Sequence, residues 1–336
     1  MNNKKPFIIA EMSGNHNQSI DKAIEIVDAA ADSGASAVKI QTYTADTISM
    51  KGVFKIEEPT SLWFGKDLYD LYDEAHTPWD WHEAIFKRAE EKGLLCFSSP
   101  FDETAVDLLE ELNNPIYKIA SFEINHIPLL KKVAHTGKPV IVSTGASSLS
   151  EIEEAVVTLK NNGCTDLTLL KCTSTYPAEP IDSNIKTIPH LANLFDCNVG
   201  LSDHTKGIGV SIAAIGLGAT VIEKHFCLDR GLGGVDSDFS LEPHEFKMLV
   251  DEAKSAFDAI GKINYGIISS EKKVDAGKRS IYASRDIKIG ECFKESNVKI
   301  IRPGMGLHPR HYEDLLTKNS TKDIARGTPI NMDMII

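Results

Sequence analysis

The stretch VGLSDHT-KGIGVSIAAIGLGAT-VIEKHF, residues 199–226, reads as strand, helix, strand. Each apolar run closes in polar chemistry: Ser202, Asp203 and His204 in the first, Glu223, Lys224 and His225 in the second. One right-handed crossover makes the two strands parallel neighbours and sets their C-terminal ends side by side. His204 and His225 then come within reach of one divalent metal ion. A lone histidine at a strand end ordinarily only satisfies a hydrogen bond. Two on adjacent ends, with Asp203 and Glu223 near, point to a ligand pair. Cys227 shares the strand parity of His225 and is an optional third ligand, or core filler. Two strong protein ligands, with water for the rest, leave the open positions of a catalytic ion.

Working outward, eight apolar, β-rich runs alternate with helical patterns: 7–12, 37–42, 94–99, 116–121, 140–145, 167–174, 199–203 and 221–226. SIDKAIEIVDAAADSG, from Ser19 to Gly34, shows the intervening pattern, with apolar residues three and four apart, Ser19 as N-cap and Gly34 as stop. In SLSEIEEAVVTLKNNG the expected cap is Ser150 and the stop Gly163. Strand–helix alternation repeated eight times predicts an α/β fold, a (β/α)8 TIM barrel, with a doubly wound sheet as the rival. Polar residues gather at the strand C-termini, where barrel active sites are built. Residues 43–77 exceed a normal βα loop and suggest a lid over the mouth, or a helix packed on its rim.

The barrel is expected over 1–262, a linker over 263–277 and a small β-rich domain over 278–336. That last segment carries 11 Lys+Arg against 7 Asp+Glu, a net of +4, whereas the remainder has 25 against 41, a net of −16. A basic tail on an acidic body suggests docking, on its own body or a partner's. The formal net charge of −12 argues against a nucleic-acid partner. No apolar run reaches the roughly 20 residues of a membrane span, and the N-terminal apolar stretch is too short for a signal peptide, so a cytoplasmic location is expected. The 6 cysteines form no C-x-x-C pair, and no disulfide framework is expected.

Lys39 in VKIQ and Lys118 in YKIAS lie inside apolar strands. A lysine buried in a strand is costly unless it meets an anion. With Ser99, Ser121, Ser143 and Ser202 they make a donor-rich pocket for a small phosphate or carboxylate. A Schiff-base lysine is the competing reading. Lys224 alternates away from its neighbours, which predicts a salt bridge behind the strand. His16, in a turn rich in Gly and Asn, faces the mouth or braces its loop. Glu11, Glu223 and Asp236 are the candidate proton-handling carboxylates, and spacing alone does not rank them.

The ordered set IAEMSGNHN, VKIQTYTADT, SSPFD, YKIAS, STGA, CTSTYP, GLSDHT and EKHF resembles the sialic acid synthase family. The tail RSIYASRDIKIGE…RPGMGL resembles that family's SAF, or antifreeze-like, domain. Within the family, EMSGNHN and GGVDSDFSLEP are most similar to the pseudaminic acid synthases. The resemblance implies a transferase that condenses phosphoenolpyruvate with an acetamido sugar, a 2,4-diacetamido-2,4,6-trideoxy-altrose, and releases phosphate. An N-acetylneuraminate or legionaminate synthase is the alternative.

It also implies a role for each matching residue. His204 and His225 would hold the divalent metal, Mn2+ with Mg2+ or Co2+ as alternatives. Lys39, Ser99, Lys118, Ser121, Ser143, Ser174 and Ser202 would line the phosphoenolpyruvate site. Gln41, Tyr176, Asp236 and Glu11 would face the sugar. Ser174 stands where neuraminate synthases often carry asparagine. Arg302 matches an arginine inserted into the partner's barrel, which implies a domain-swapped homodimer.

Overall fold

The computed structural model describes residues 5–59, 61–271 and 277–336. The chain divides into two compact units, 1–261 and 262–336. The first is a closed barrel of eight parallel strands in sequence order. They are β1 (Phe7–Glu11), β2 (Ala37–Thr42), β3 (Leu95–Pro100), β4 (Tyr117–Ile119), β5 (Val140–Ser143), β6 (Leu167–Cys172), β7 (Asn198–Asp203) and β8 (Val221–His225). β1 closes on β8 with Glu11 opposite His225, and β7 on β8 with Ser202 opposite Glu223.

Strand alternation sorts the side chains. Ile9, Ala37, Phe97, Ile141, Leu170 and Val221 point inward and plug the lower barrel. Their outward neighbours, among them Ile8, Val38, Tyr117, Val140, Leu169 and Ile222, pack with the surrounding helices into the main core. Each such buried Leu, Ile or Phe contributes about 1.5–3 kcal/mol. Two residues further along the same inward parity the plug gives way to Glu11, Lys39, Ser99, Ser143, Cys172, Ser202 and Glu223. The plug therefore forms the floor of the pocket.

Helix Ile20–Asp32 begins at Ser19, whose hydroxyl accepts from the Lys22 N–H, and Gly34 beyond its end has φ +82°. Helix Leu149–Asn161 is capped by Ser148, not Ser150, because Glu151 completes a reciprocal capping box with Ser148. The 43–77 insertion carries two helices, Ala45–Ile48 and Leu68–Ala75. His16 is fully buried, accepts from the Gln18 N–H at 3.2 Å and meets Trp81 edge-on, so it braces the loop.

The second unit pairs β9 (Ser280–Ala283) antiparallel with β10 (Val298–Ile301) around a small core that includes Ile281, Ile287, Phe293 and Ile330. Residues 272–276 of the expected linker lie outside the described residues. Among those described, no helix is long and apolar enough to cross a membrane.

Candidate active site

Above the plug sits a cluster of side chains, each 4 % exposed or less: Glu11, Lys39, Ser99, Lys118, Ser143, Ser202 and Glu223. Lys39 Nζ lies 2.7 Å from Glu11 Oε2, 3.2 Å from Ser99 Oγ and 3.7 Å from Glu223 Oε1. Lys118 Nζ donates to Glu223 Oε1 at 2.9 Å, and Ser202 Oγ donates to the same oxygen at 3.2 Å. Gln41 Nε2 donates to Glu11 Oε1 at 2.8 Å. Ser143 Oγ and Glu223 Oε2 are buried with no hydrogen-bond partner. Unused ammonium donors beside an orphaned hydroxyl fit a small polyanion.

The carboxylates are pushed apart. Burial and the charge of Glu223 raise the Glu11 carboxyl against the pull of Lys39. Burial opposes ionisation of Glu223 too, but the Lys118 and Lys39 ammoniums outweigh it and hold Glu223 below the usual range. Burial lowers Lys118, with Lys39 adding to the effect against Glu223. Such a split separates a fixed anion from a proton carrier.

His204 and His225 stand at the next level, with ring centroids 5.3 Å apart. His204 Nδ1 lies 2.9 Å from the Thr173 carbonyl, which can only accept, so this contact assigns the proton to Nδ1 and leaves the Nε2 lone pair free. His225 Nδ1 is buried without a hydrogen-bond partner, 3.7 Å from Asp236 Oδ2. Burial, then the neighbouring cations, holds the His225 imidazole neutral, well below its ordinary value. At His204 burial is outweighed by Cys172, the Thr173 carbonyl and Glu223, which raise its imidazole above the ordinary value. Two imidazoles side by side, one neutral with an orphaned ring nitrogen and one backed by a carbonyl, suit a divalent ion. Among the described residues no group of three His, Cys, Asp or Glu side chains is poised for a metal, so Cys227 does not complete a triad. A metal held here would take the two histidines, with its remaining positions open.

Asp203 faces away from this pair. Its carboxylate takes Lys224 Nζ at 3.0 Å and the Ser211 hydroxyl at 2.6 Å behind the strands. Lys224 also donates to the Thr205 carbonyl.

Over the histidines lie aromatic walls: Tyr176 with its ring 4.5 Å from His204, and Phe239 4.9 Å from His225. Trp63, from the 43–77 insertion, reaches Tyr176 at 5.9 Å. Asp236 is bound by the Ser13 hydroxyl and the Gly14 N–H, while burial raises its carboxyl. Ser121 Oγ accepts from the Gly145 N–H at 3.2 Å, and Ser174 Oγ lies 3.7 Å from Cys172 Sγ. A Cβ on Gly145 would meet Ser174 Oγ at 2.1 Å and Ser121 Oγ at 2.8 Å, so only glycine lets the two serines converge there. Arg302 is exposed in the second unit, after β10.

Three neighbours of the pocket escaped the sequence reading. Glu123 turns toward the lysines on the short 3-10 turn Ser121–Glu123, and burial lifts its carboxyl to about 7. Its signal was present, since it follows Ser121 by two, but strand alternation does not describe a turn. Cys172 lies 3.9 Å from His204 Nδ1 and looks in sequence like a core cysteine. Ser13 joins Gln41 to Asp236 from a left-handed backbone with φ +45°, which sequence does not announce.

The NeuB family matches residues 26–265 and the SAF domain residues 278–336. The pseudaminic acid synthase of Campylobacter jejuni serotype O:2 is 45% identical over 327 residues, covering 96% of this chain and 95% of the relative. The N,N'-diacetyllegionaminic acid synthase of the same organism and serotype is 39% identical, covering 95% of this chain and 97% of the relative. The solved N-acetylneuraminic acid synthetase of Leptospira borgpetersenii, in complex with citrate, superposes with a TM-score of 0.73 at 34% identity, covering 81% of this chain and 90% of that one. The chain belongs to the NeuB family and carries a SAF domain at its C-terminal end.

Proposed function

We propose that the chain is a pseudaminic acid synthase, condensing phosphoenolpyruvate with 2,4-diacetamido-2,4,6-trideoxy-altrose to a nine-carbon nonulosonic acid and phosphate. The observation that carries this reading is 45% identity over 96% of the chain to a pseudaminic acid synthase, higher than the 39% to a legionaminic acid synthase. The buried lysine cluster beside a histidine pair supports it, because the reaction needs an anion site and an electrophile site in one pocket.

Lys39, Lys118, Ser99, Ser143 and Ser202 bind the phosphate and carboxylate of phosphoenolpyruvate, with Ser121 and Ser174 at the rim. The enol carbon attacks the open-chain aldehyde of the sugar. Water adds to the resulting oxocarbenium carbon, and the C–O bond breaks to release phosphate. His204 and His225 would hold a divalent ion, Mn2+ with Mg2+ or Co2+ as alternatives, which when bound supplies Lewis-acid polarisation of the aldehyde. Glu11 and Asp236, the carboxyls that burial shifts upward, hold the two protons in play: one for the new hydroxyl, one from the attacking water. Glu223 stays ionised and balances the lysines. Gln41 and Tyr176 orient the sugar.

Arg302 enters the barrel of a second copy, giving a domain-swapped homodimer in the cytoplasm. The opposite net charges of tail and body support this, as do Phe64, Phe122 and Leu232, exposed on loops that follow β2, β4 and β8.

A substrate panel tests the function. Phosphate release and product mass are read with manganese for the altrose-type sugar, the diacetamido-mannose analogue and N-acetylmannosamine. Turnover with the altrose-type sugar is expected to lead. A legionaminate synthase would instead prefer the diacetamido-mannose analogue. His225→Ala should abolish release while leaving the circular dichroism spectrum intact.

A further inference from the structure

We propose that Asn15 and Asn17 are positioning residues for sugar capture, clasping the loop 229–240 onto the turn after β1 and so fixing Asp236 beside His225. The inference rests on the synthase reading above and names what aims its sugar-facing carboxylate.

Four residues of the turn 13–17 hold that loop. Asn15 is buried, and its Nδ2 donates to the Phe226 carbonyl at 3.0 Å and to Ser240 Oγ at 2.9 Å. Ser240 Oγ in turn donates to the Asp236 carbonyl at 2.7 Å. Asn17 Nδ2 donates to the Gly233 carbonyl at 2.7 Å. Ser13 and Gly14 take the Asp236 carboxylate itself. The approach is tight at Gly234, where a Cβ would lie 3.0 Å from Asn17 Oδ1 and 3.1 Å from Asn15 Oδ1 and would push these side chains aside. Ser13 and Asn17 have φ of +45° and +49°, a backbone region that side chains rarely adopt and that surrounding contacts must enforce.

The rest of the loop has anchors of its own. Its base is pinned by Arg230, which pairs with Glu242 and Glu245. Its far half, Leu232 to Val235, faces an open groove of about 590 Å³ rather than packed core. From outside the turn, Trp63 Nε1 donates to the Val235 carbonyl at 3.1 Å, Lys206 pairs with Asp238 at 3.0 Å, and the buried Phe239 ring packs on His225. The hydrogen bonds that reach the Asp236 carboxylate itself come from the turn, through Ser13 and Gly14.

Two variants attack the clasp from opposite sides. Asn17→Gly tolerates the left-handed backbone and removes the donor. Gly234→Ala leaves both asparagines and wedges the loop away. Both should raise the sugar KM about tenfold, the equivalent of one lost hydrogen bond, with the phosphoenolpyruvate KM within about twofold of wild type. Hydrogen–deuterium exchange of 229–240 without sugar should rise in both. Unchanged exchange and sugar KM, or the two KM values rising together, would overturn the proposal. Absence of wild-type turnover with every acetamido sugar would sink the synthase reading instead. The clasp would then stand or fall on the exchange of 229–240 alone.

Discussion

Lys39 sits between two carboxylates and pairs with one of them more closely, Glu11 at 2.7 Å against Glu223 at 3.7 Å. Glu223 depends on Lys118 for its second cation. Lys118→Met would strand a buried charge, and about 3–5 kcal/mol of stability should be lost in chemical denaturation. Adding Glu223→Gln should recover most of that loss, yet phosphate release should stay abolished, because the anion site still lacks its ammonium. Glu123 supplies a pH test. Its carboxyl rises from 4.5 to about 7 on burial, so the folded state holds the proton more tightly than the unfolded chain. Stability is unaffected below pH 4.5 and falls as pH climbs from 4.5 to 7. The residue is only half-buried although its Oε2 is enclosed, which limits the loss to about 2 kcal/mol. Glu123→Gln should therefore match wild type in acid and exceed it above neutrality, measured by denaturant titration at both ends. Equal curves at both ends would rule this out.

The strands were the legible elements, because alternation writes their inward and outward faces directly into residue type. Lys39 and Lys118 announced the buried polar cluster inside the barrel for that reason, and Lys224, on the other parity, announced its ion pair behind the sheet. Turns were not legible in the same way. Ser148 and Ser150 both look like caps, and only the reach of Glu151 back to Ser148 separates them. Glu123 and Ser13 sit on short 3-10 turns, where direction depends on backbone dihedrals that no periodicity encodes. The loop after β5 offers a test of this finer layer. Gly145→Ala should displace Ser174 and Ser121 and weaken phosphoenolpyruvate binding at least about tenfold, with the sugar KM little changed. Equal weakening of both substrates would show that the loop merely supports the fold.

At the scale of the molecule, the barrel gathers chemistry from all eight strands onto one face, and the hydrophobic plug closes the floor beneath it. The alternation of eight runs made this architecture readable from the sequence. What alternation does not reach is the arrangement of two units or two copies, since no periodic pattern spans a linker. The proposed swap makes a sharp prediction through complementation. Arg302→Ala and His225→Ala chains, each inactive, would be mixed and reassembled. A swapped dimer restores one intact site in each mixed pair, so about a quarter of wild-type activity should return. An active site built within one chain would return none.

Along β7 and β8 the outward pair Asp203–Lys224 interleaves with the inward residues Ser202, Glu223 and His225. That interleaving limits how such a gene can vary in length. Inserting or deleting one codon inside β8 would hand the pocket a lysine and send a histidine to the helices, as a frameshift garbles every word after it. Descendants of this sequence can rewrite single letters within the strands, but they can gain or lose length only in the spaces between them.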